Sequence, residues 1–188
     1  LFSKYPKARQ ELRTKTTTVE NLLNIEPADN IVVSWTFSPQ IIIDNHEHKA
    51  PSLEERLRAA VDVQNAGYNV GICLDPIILC DGWFDHYKTM LEKIIERLDM
   101  ESVRFISLGG FRYLPSLSKV IKERDPQTNL LLSEFVPCVD GKHRYFRPIR
   151  VEAYKEIGTV IRELNKDVKI SLCMETPEVW NSVKDVLK

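Results

Sequence analysis

Short runs rich in β-branched residues recur along the chain, each followed by a longer segment with helical periodicity. The runs are Glu11–Lys15, Ile31–Thr36, Tyr68–Leu74, Val103–Leu108, Leu130–Phe135 and Val168–Cys173. Between them lie Leu53–Ala66, Trp83–Leu98, Pro115–Arg124 and Val151–Leu164, whose apolar residues fall three and four apart. Alternating strand and helix signals of this kind specify a mainly parallel sheet, open or curled into a barrel. At 188 residues the chain is long enough for one domain with a real core.

Local signals sharpen the boundaries. Thr17 with Glu20, and Ser52 with Glu55, have the spacing of capping boxes. Gly67 sits where a helix through Ala66 should stop. Pro39–Asn45 reads as a helical turn or loop, and Asp75-Pro76 closes the third strand. Val139-Asp140-Gly141-Lys142 has hairpin-turn chemistry. Pro177 suits the first position of a last helix. The opening at Leu1 reads as the tail of a helix, and the chain is expected to be part of a longer polypeptide.

Charge and cysteine usage narrow the function classes. The formal net charge is −1, so no global basic field would draw the chain to nucleic acid; any such contact must come from a local patch. No apolar run approaches the ~20 residues of a membrane span, so no membrane partner is expected. Cys73, Cys80, Cys138 and Cys173 have no disulfide-framework or metal-cluster spacing. Cys73 and Cys173 lie in apolar strands, and a reducing, cytoplasmic setting is expected.

In parallel α/β folds function sits at the carboxyl ends of the strands. The polar residues there are Lys15, Thr36, Ser38, Asp75, Arg112, Glu134 and Glu175. Lys15 could pair with a carboxylate or phosphate, or be a solvated strand-end lysine. Thr36 and Ser38 could bind a ribose or amino-acid ligand, or cap the next turn. His46-Glu47-His48 could ligate a metal or lie in a surface loop; Glu47 alone could face the site. Lys142, Arg144, Arg147 and Arg150, interleaved with Tyr145 and Phe146, form the one basic and aromatic cluster. It could hold phosphates and stack bases, or be a solvated hairpin over packed rings.

An ordered set of segments then resembles the spore photoproduct lyase family of radical S-adenosylmethionine (SAM) DNA repair lyases. The set runs through Arg13-Thr14-Lys15, Val33-Ser34-Trp35-Thr36-Phe37-Ser38, Glu47–Leu57, Ala66–Ile72 and Asp75–Ile78. It continues through Asp81-Gly82-Trp83, Ser107-Leu108-Gly109, Asp140–Phe146 and Cys173–Trp180. The resemblance implies a partial (βα) barrel lacking its first βα units, spanning residues 1–188 as the carboxyl-terminal portion of a radical SAM domain. The basic hairpin falls at about 135–150. It implies a lyase that reverses a thymine photolesion, with SAM and a [4Fe-4S] cluster as cofactors and damaged DNA as partner. Lys15 and Thr36, with Ser38 and Glu47 as neighbours, would contact SAM; Lys142, Arg144, Arg147 and Arg150 would contact DNA. The family's Cys-x3-Cys-x2-Cys motif is absent from this sequence, so the cluster ligands would lie outside it. The alternative is a non-catalytic α/β module that binds nucleic acid or a nucleotide. An exposed sheet edge would allow a homodimer.

Overall fold

The computed structural model describes residues 4–188; the helix tail expected at Leu1 lies outside the described residues. Five parallel strands form the main sheet: β1 (Gln10–Thr14), β2 (Ile31–Thr36), β3 (Asn69–Ile77), β4 (Val103–Gly110) and, last in the chain, β8 (Ile170–Leu172). Their spatial order is β1-β2-β3-β4-β8. The crossovers are α1 (Glu20–Leu23), the pair α2 (Gln40–His46) and α3 (Leu53–Asn65), and α4 (Trp83–Arg97). Between β4 and β8 come β5 (Arg112–Tyr113), α5 (Pro115–Arg124), β6 (Phe135–Pro137), β7 (His143–Tyr145) and α6 (Arg147–Leu164). α7 (Pro177–Leu187) follows β8. β5, β7 and β6 make a separate three-stranded antiparallel sheet, in that order. The architecture is therefore α/β with a mainly parallel sheet, as the alternation of signals requires.

Strand alternation divides the main sheet into two unlike faces. Val33, Trp35, Val70, Ile72, Leu74, Ile106 and Leu108 belong to the core shared with α3, α4, α6 and α7. The other face carries Glu11, Arg13, Ser34, Cys73, Asp75, Ser107 and Cys173. Contacts across that face fix the directions. Ser34 Oγ donates to Glu11 Oε1 at 2.6 Å, and a Cβ built on Gly71 would lie 2.7 Å from Phe105 and 2.9 Å from Ser34. A buried apolar face with a polar face opposite is what a barrel wall looks like from its two sides.

Several boundaries follow their predicted chemistry. Ser52 accepts from the Glu55 amide while the Glu55 carboxylate takes the Ser52 amide, so the second capping box forms. Gly67, at φ +95°, ends α3. Gly141, at φ +77°, turns the hairpin between β6 and β7. Pro177 occupies the first turn of α7.

Four expectations are corrected. The first capping box does not form: Val19 is the N-cap of α1 and makes no side-chain cap. Thr16 and Thr18 instead bond to each other, the Thr18 amide donating to Thr16 Oγ1. β3 does not stop at Asp75-Pro76 but continues to Ile77, with an irregular register against β4 beyond Leu74. Leu130–Ser133 is not a strand. Leu132 is 80% exposed, so that apolar run has nothing to pack against, and the strand begins at Phe135, whose ring stacks on Tyr145 at 4.7 Å. The helix expected from Val151 starts at Arg147, because Pro148 fits its first turn.

The division of the sheet into faces has a measurable consequence. Ile94, fully buried on α4, should cost about 3 kcal/mol when cut to Ala. Val139, fully exposed at the hairpin turn, should cost less than ~0.5 kcal/mol. Urea denaturation of the two variants checks the contrast.

Candidate functional site

The alternation of β1 carries past its last residue, so Glu11, Arg13 and Lys15 all leave the sheet on the polar side. Lys15 Nζ reaches Glu47, in the loop after α2, and donates to Oε1 at 2.8 Å. Ser38 Oγ, buried just beyond β2, donates to the same oxygen at 2.7 Å. Glu47 Oε2 takes the Nη2 of Arg56 at 2.5 Å. Arg56 lies on α3 with no exposed surface. Its Nη1 donates to the Thr36 carbonyl at 3.1 Å and its Nε to the Pro51 carbonyl at 2.8 Å. Three donors thus converge on one carboxylate. Burial would raise the Glu47 pKa, but the hydrogen bonds from Lys15, Ser38 and Arg56 outweigh it and hold the carboxyl below its ordinary value.

The charges in this cluster do not cancel. Two cations meet one carboxylate. Each nitrogen of Arg56 has a partner, Glu47 or a backbone carbonyl, and the side chain is sealed from solvent. Lys15 is 36% exposed, and Glu47 is its one partner among the described residues. An ammonium has three donors, so two of Lys15's remain to meet an anionic group at the open end of the sheet.

A second ion-pair group spans the strand ends of the polar face. Arg112 Nη1 donates to Asp75 Oδ1 at 2.8 Å, and its Nη2 lies 3.3 Å from Met174 Sδ. Arg13 bonds Glu11 at 2.8 Å and lies 3.7 Å from Asp75. Gly109 makes room for this group: a Cβ there would fall 2.7 Å from Asp75 Oδ1. Cys73 is enclosed beneath, and burial pushes its thiol up to about 12.

The hairpin closes the same end of the sheet. Tyr145, on β7, is buried and accepts the Leu79 amide at 3.1 Å, which ties the hairpin to the end of β3. Arg144 forms a two-armed pair with Asp140, at 2.6 and 2.8 Å, and Nη2 also reaches the Met174 carbonyl. The Arg144 guanidinium holds the Asp140 carboxyl far below the usual carboxylate range. Lys142 Nζ lies 3.4 Å from the same aspartate. Arg150 is not on the hairpin: it is buried on α6, bonded to the Tyr145 carbonyl and 3.1 Å from Glu175. Tyr154 donates to Glu175 at 2.7 Å and accepts the Gly110 amide at 2.7 Å. A cleft of about 630 Å³ lies between hairpin and α6, lined in part by Arg144, Phe146, Arg147 and Met174.

Lys15, Ser38 and Glu47, separated in sequence, therefore form one cluster, which the buried Thr36 joins only through its backbone carbonyl on Arg56, while the four basic candidates split into two environments. Arg147 is exposed and Lys142 half-buried; Arg144 and Arg150 are buried in ion pairs. His46 ends α2 and His48 lies in the following turn; Glu47 between them turns to the site. Among the described residues no three of His, Cys, Asp and Glu are grouped to hold a metal. Arg56 was missed, although its signal was present. It stands three residues after Leu53 and one before Leu57, on the buried stripe of α3, where a charge requires a buried partner.

Comparison with known proteins places these residues in a family context. The family model described as spore photoproduct lyase matches residues 1–158. The spore photoproduct lyase of Clostridium acetobutylicum is 26% identical over 133 residues, which is 71% of this chain and 39% of that protein. That of Bacillus subtilis is 29% identical over 123 residues, 64% of this chain and 36% of that protein. The chain thus spans less than two fifths of the curated relatives' length. Among solved structures, mutant spore photoproduct lyases superpose with TM-scores of 0.78 and 0.75 at 22% identity, over 87% of this chain and 50% of theirs. One of these holds AdoMet and dinucleoside spore photoproduct. At that identity the likeness establishes the shared fold.

The buried carboxylate should reveal itself in stability. Glu47→Gln leaves Arg56 uncompensated and should cost about 3 kcal/mol at pH 7. The folded-state pKa lies below the ordinary 4.5, so the unfolded chain takes up the proton first as pH falls. The stabilisation is present above pH 4.5 and is lost as pH drops through the lower folded-state value. Denaturant titrations should show a shallower acid decline in Glu47→Gln than in the natural sequence.

Proposed function

The chain belongs to the spore photoproduct lyase family, and from that premise we propose that residues 1–188 form the carboxyl-terminal portion of a radical SAM domain. The protein that carries them is a SAM-dependent lyase that reverses a thymine photolesion in DNA. The observation that carries the reading is the partly unpaired Lys15 ammonium at the carboxyl edge of a parallel sheet, backed by Glu47, Ser38 and Arg56.

The donor set suits the amino-acid end of SAM. The two free donors of Lys15 match a carboxylate. Thr36, buried at the end of β2, is the hydroxyl we assign to the ribose. SAM, when bound, supplies radical chemistry that the protein side chains do not possess. The residues of this chain bind and orient it, and the hairpin shields the open end of the sheet. The cluster is a different matter. The four thiols are free and scattered, so among the described residues none can be assigned to a [4Fe-4S] cluster.

For DNA the exposed Arg147 and the half-buried Lys142 are the phosphate contacts, with Phe146 exposed for stacking beside them. Arg144 and Arg150 act by holding the hairpin and α6 in place, through Asp140 and Glu175. The likeness to a structure with dinucleoside spore photoproduct supports this substrate class. The unpaired thiols support a reducing, cytoplasmic compartment. No helix among the described residues is long and apolar enough to cross a membrane. Among the described residues the outer edge of β1 pairs with no strand; a preceding βα unit of the full barrel would take that edge, and a homodimer through it is proposed for this segment by itself.

Two measurements test the proposal in the full-length protein. Lys15→Ala should weaken SAM binding by tenfold or more, a loss of about 1.4 kcal/mol; unchanged affinity would remove Lys15 from the site. Lys142→Ala with Arg147→Ala should lower the salt dependence of DNA binding by about two phosphate contacts. An unchanged slope would place the DNA elsewhere.

A further inference from the structure

We propose that Glu47 and Arg56 are positioning residues that build the carboxylate slot by holding Lys15, and that neither touches the ligand; this rests on Lys15 as the SAM carboxylate partner. The valence of Glu47 supports the first half. Oε1 already accepts from Lys15 at 2.8 Å and Ser38 at 2.7 Å, and Oε2 accepts from Arg56 at 2.5 Å. A carboxylate so occupied, with a side chain 10% exposed, has little capacity for a ligand amine or hydroxyl. Its charge is instead spent on fixing one flexible ammonium.

Arg56 supports the second half. It has no exposed surface, so no ligand reaches it. Its planar fork joins three points: the Glu47 loop, the Pro51 carbonyl ahead of α3 and the Thr36 carbonyl at the end of β2. The position of Lys15 is thereby set relative to Thr36, the residue proposed to meet the ribose. A lysine at position 56 would be a point charge that cannot span these acceptors.

A four-carbon lysine stem is flexible, and freezing it on binding weakens affinity. A Lys15 already held by Glu47 has lost most of that freedom before the ligand arrives. The structure therefore assigns Glu47 a preorganising role whose effect is confined to ligands that carry a carboxylate.

The test compares two ligands in the full-length protein, purified anaerobically: SAM, and methylthioadenosine, which keeps the nucleoside and sulfur but lacks the amino-acid group. Glu47→Asp and Arg56→Lys keep both charges, so neither changes the net charge of the cluster. Aspartate is shorter by one methylene, about 1.5 Å, and cannot hold Lys15, Ser38 and Arg56 together. Titration calorimetry should show SAM affinity falling about tenfold in each variant, and methylthioadenosine affinity changing less than about twofold. Equal losses for both ligands would mean that the pair merely supports the fold, and would overturn the inference; so would unchanged SAM affinity. Lys15→Ala in the same series separates the two readings. If it weakens SAM while the position 47 and 56 variants do not, positioning fails and the carboxylate role of Lys15 stands. If Lys15→Ala changes nothing, both fall. Should the two variants not fold, Ser38→Ala, which removes one donor to the same oxygen, should give a smaller loss of the same ligand selectivity; equal effects on both ligands would overturn the inference.

Discussion

The Glu47–Arg56 pair is the interaction on which the candidate site depends. Arg56 is a full charge in the core of an α/β domain, and the cost of burying it is offset by a carboxylate and two backbone carbonyls. Those partners lie on separate parts of the chain: the loop after α2, the start of α3 and the end of β2. Satisfying one guanidinium therefore closes the α2–α3 connection onto the sheet. Lys15 and Ser38 share the carboxylate that makes this closure possible. Fold and site meet in a single buried ion, so the geometry of the binding edge cannot loosen without exposing a charge.

The two faces of the sheet explain why such an arrangement sits where it does. The face covered by helices is filled with Val, Ile, Leu and Trp and tolerates no unpaired polar group. The opposite face carries arginines, carboxylates and thiols that pair with one another across neighbouring strands, from Glu11 and Ser34 to Asp75 and Arg112. Gly71 and Gly109 keep that surface low enough for those side chains to lie over it. The hairpin then brings Arg144, Tyr145 and Phe146 to the same end of the sheet. Tyr145 is consumed in anchoring and Arg144 in pairing with Asp140. Phe146 and Arg147 stay exposed beside them.

The sequence made the parallel sheet legible because its strands are short β-branched runs and its longer helices have clean apolar stripes. Ser52 with Glu55, Gly67 and Pro177 carried their boundaries in their own chemistry. Leu130–Ser133 misled because an apolar run says nothing about whether another surface covers it. The site was half legible. Lys15, Thr36 and Ser38 are polar residues at strand ends, where the fold class puts function, and the family resemblance pointed to the same positions. Arg56 was hidden in an otherwise regular helix, and only its place on the buried stripe marked it. Arg150 looked like one more member of a basic cluster because its partner, Glu175, is 25 positions away along the chain. Pairing across such distances is a property of the fold and leaves no local pattern.

The most direct measurement is a crystal structure of the full-length protein with SAM bound. The account predicts the ligand carboxylate within about 3 Å of Lys15 Nζ, with the Lys15–Glu47 and Glu47–Arg56 contacts intact and no ligand atom bonded to Glu47. A carboxylate held by other residues, or a Glu47 turned away from Lys15 to bind the ligand itself, would contradict it.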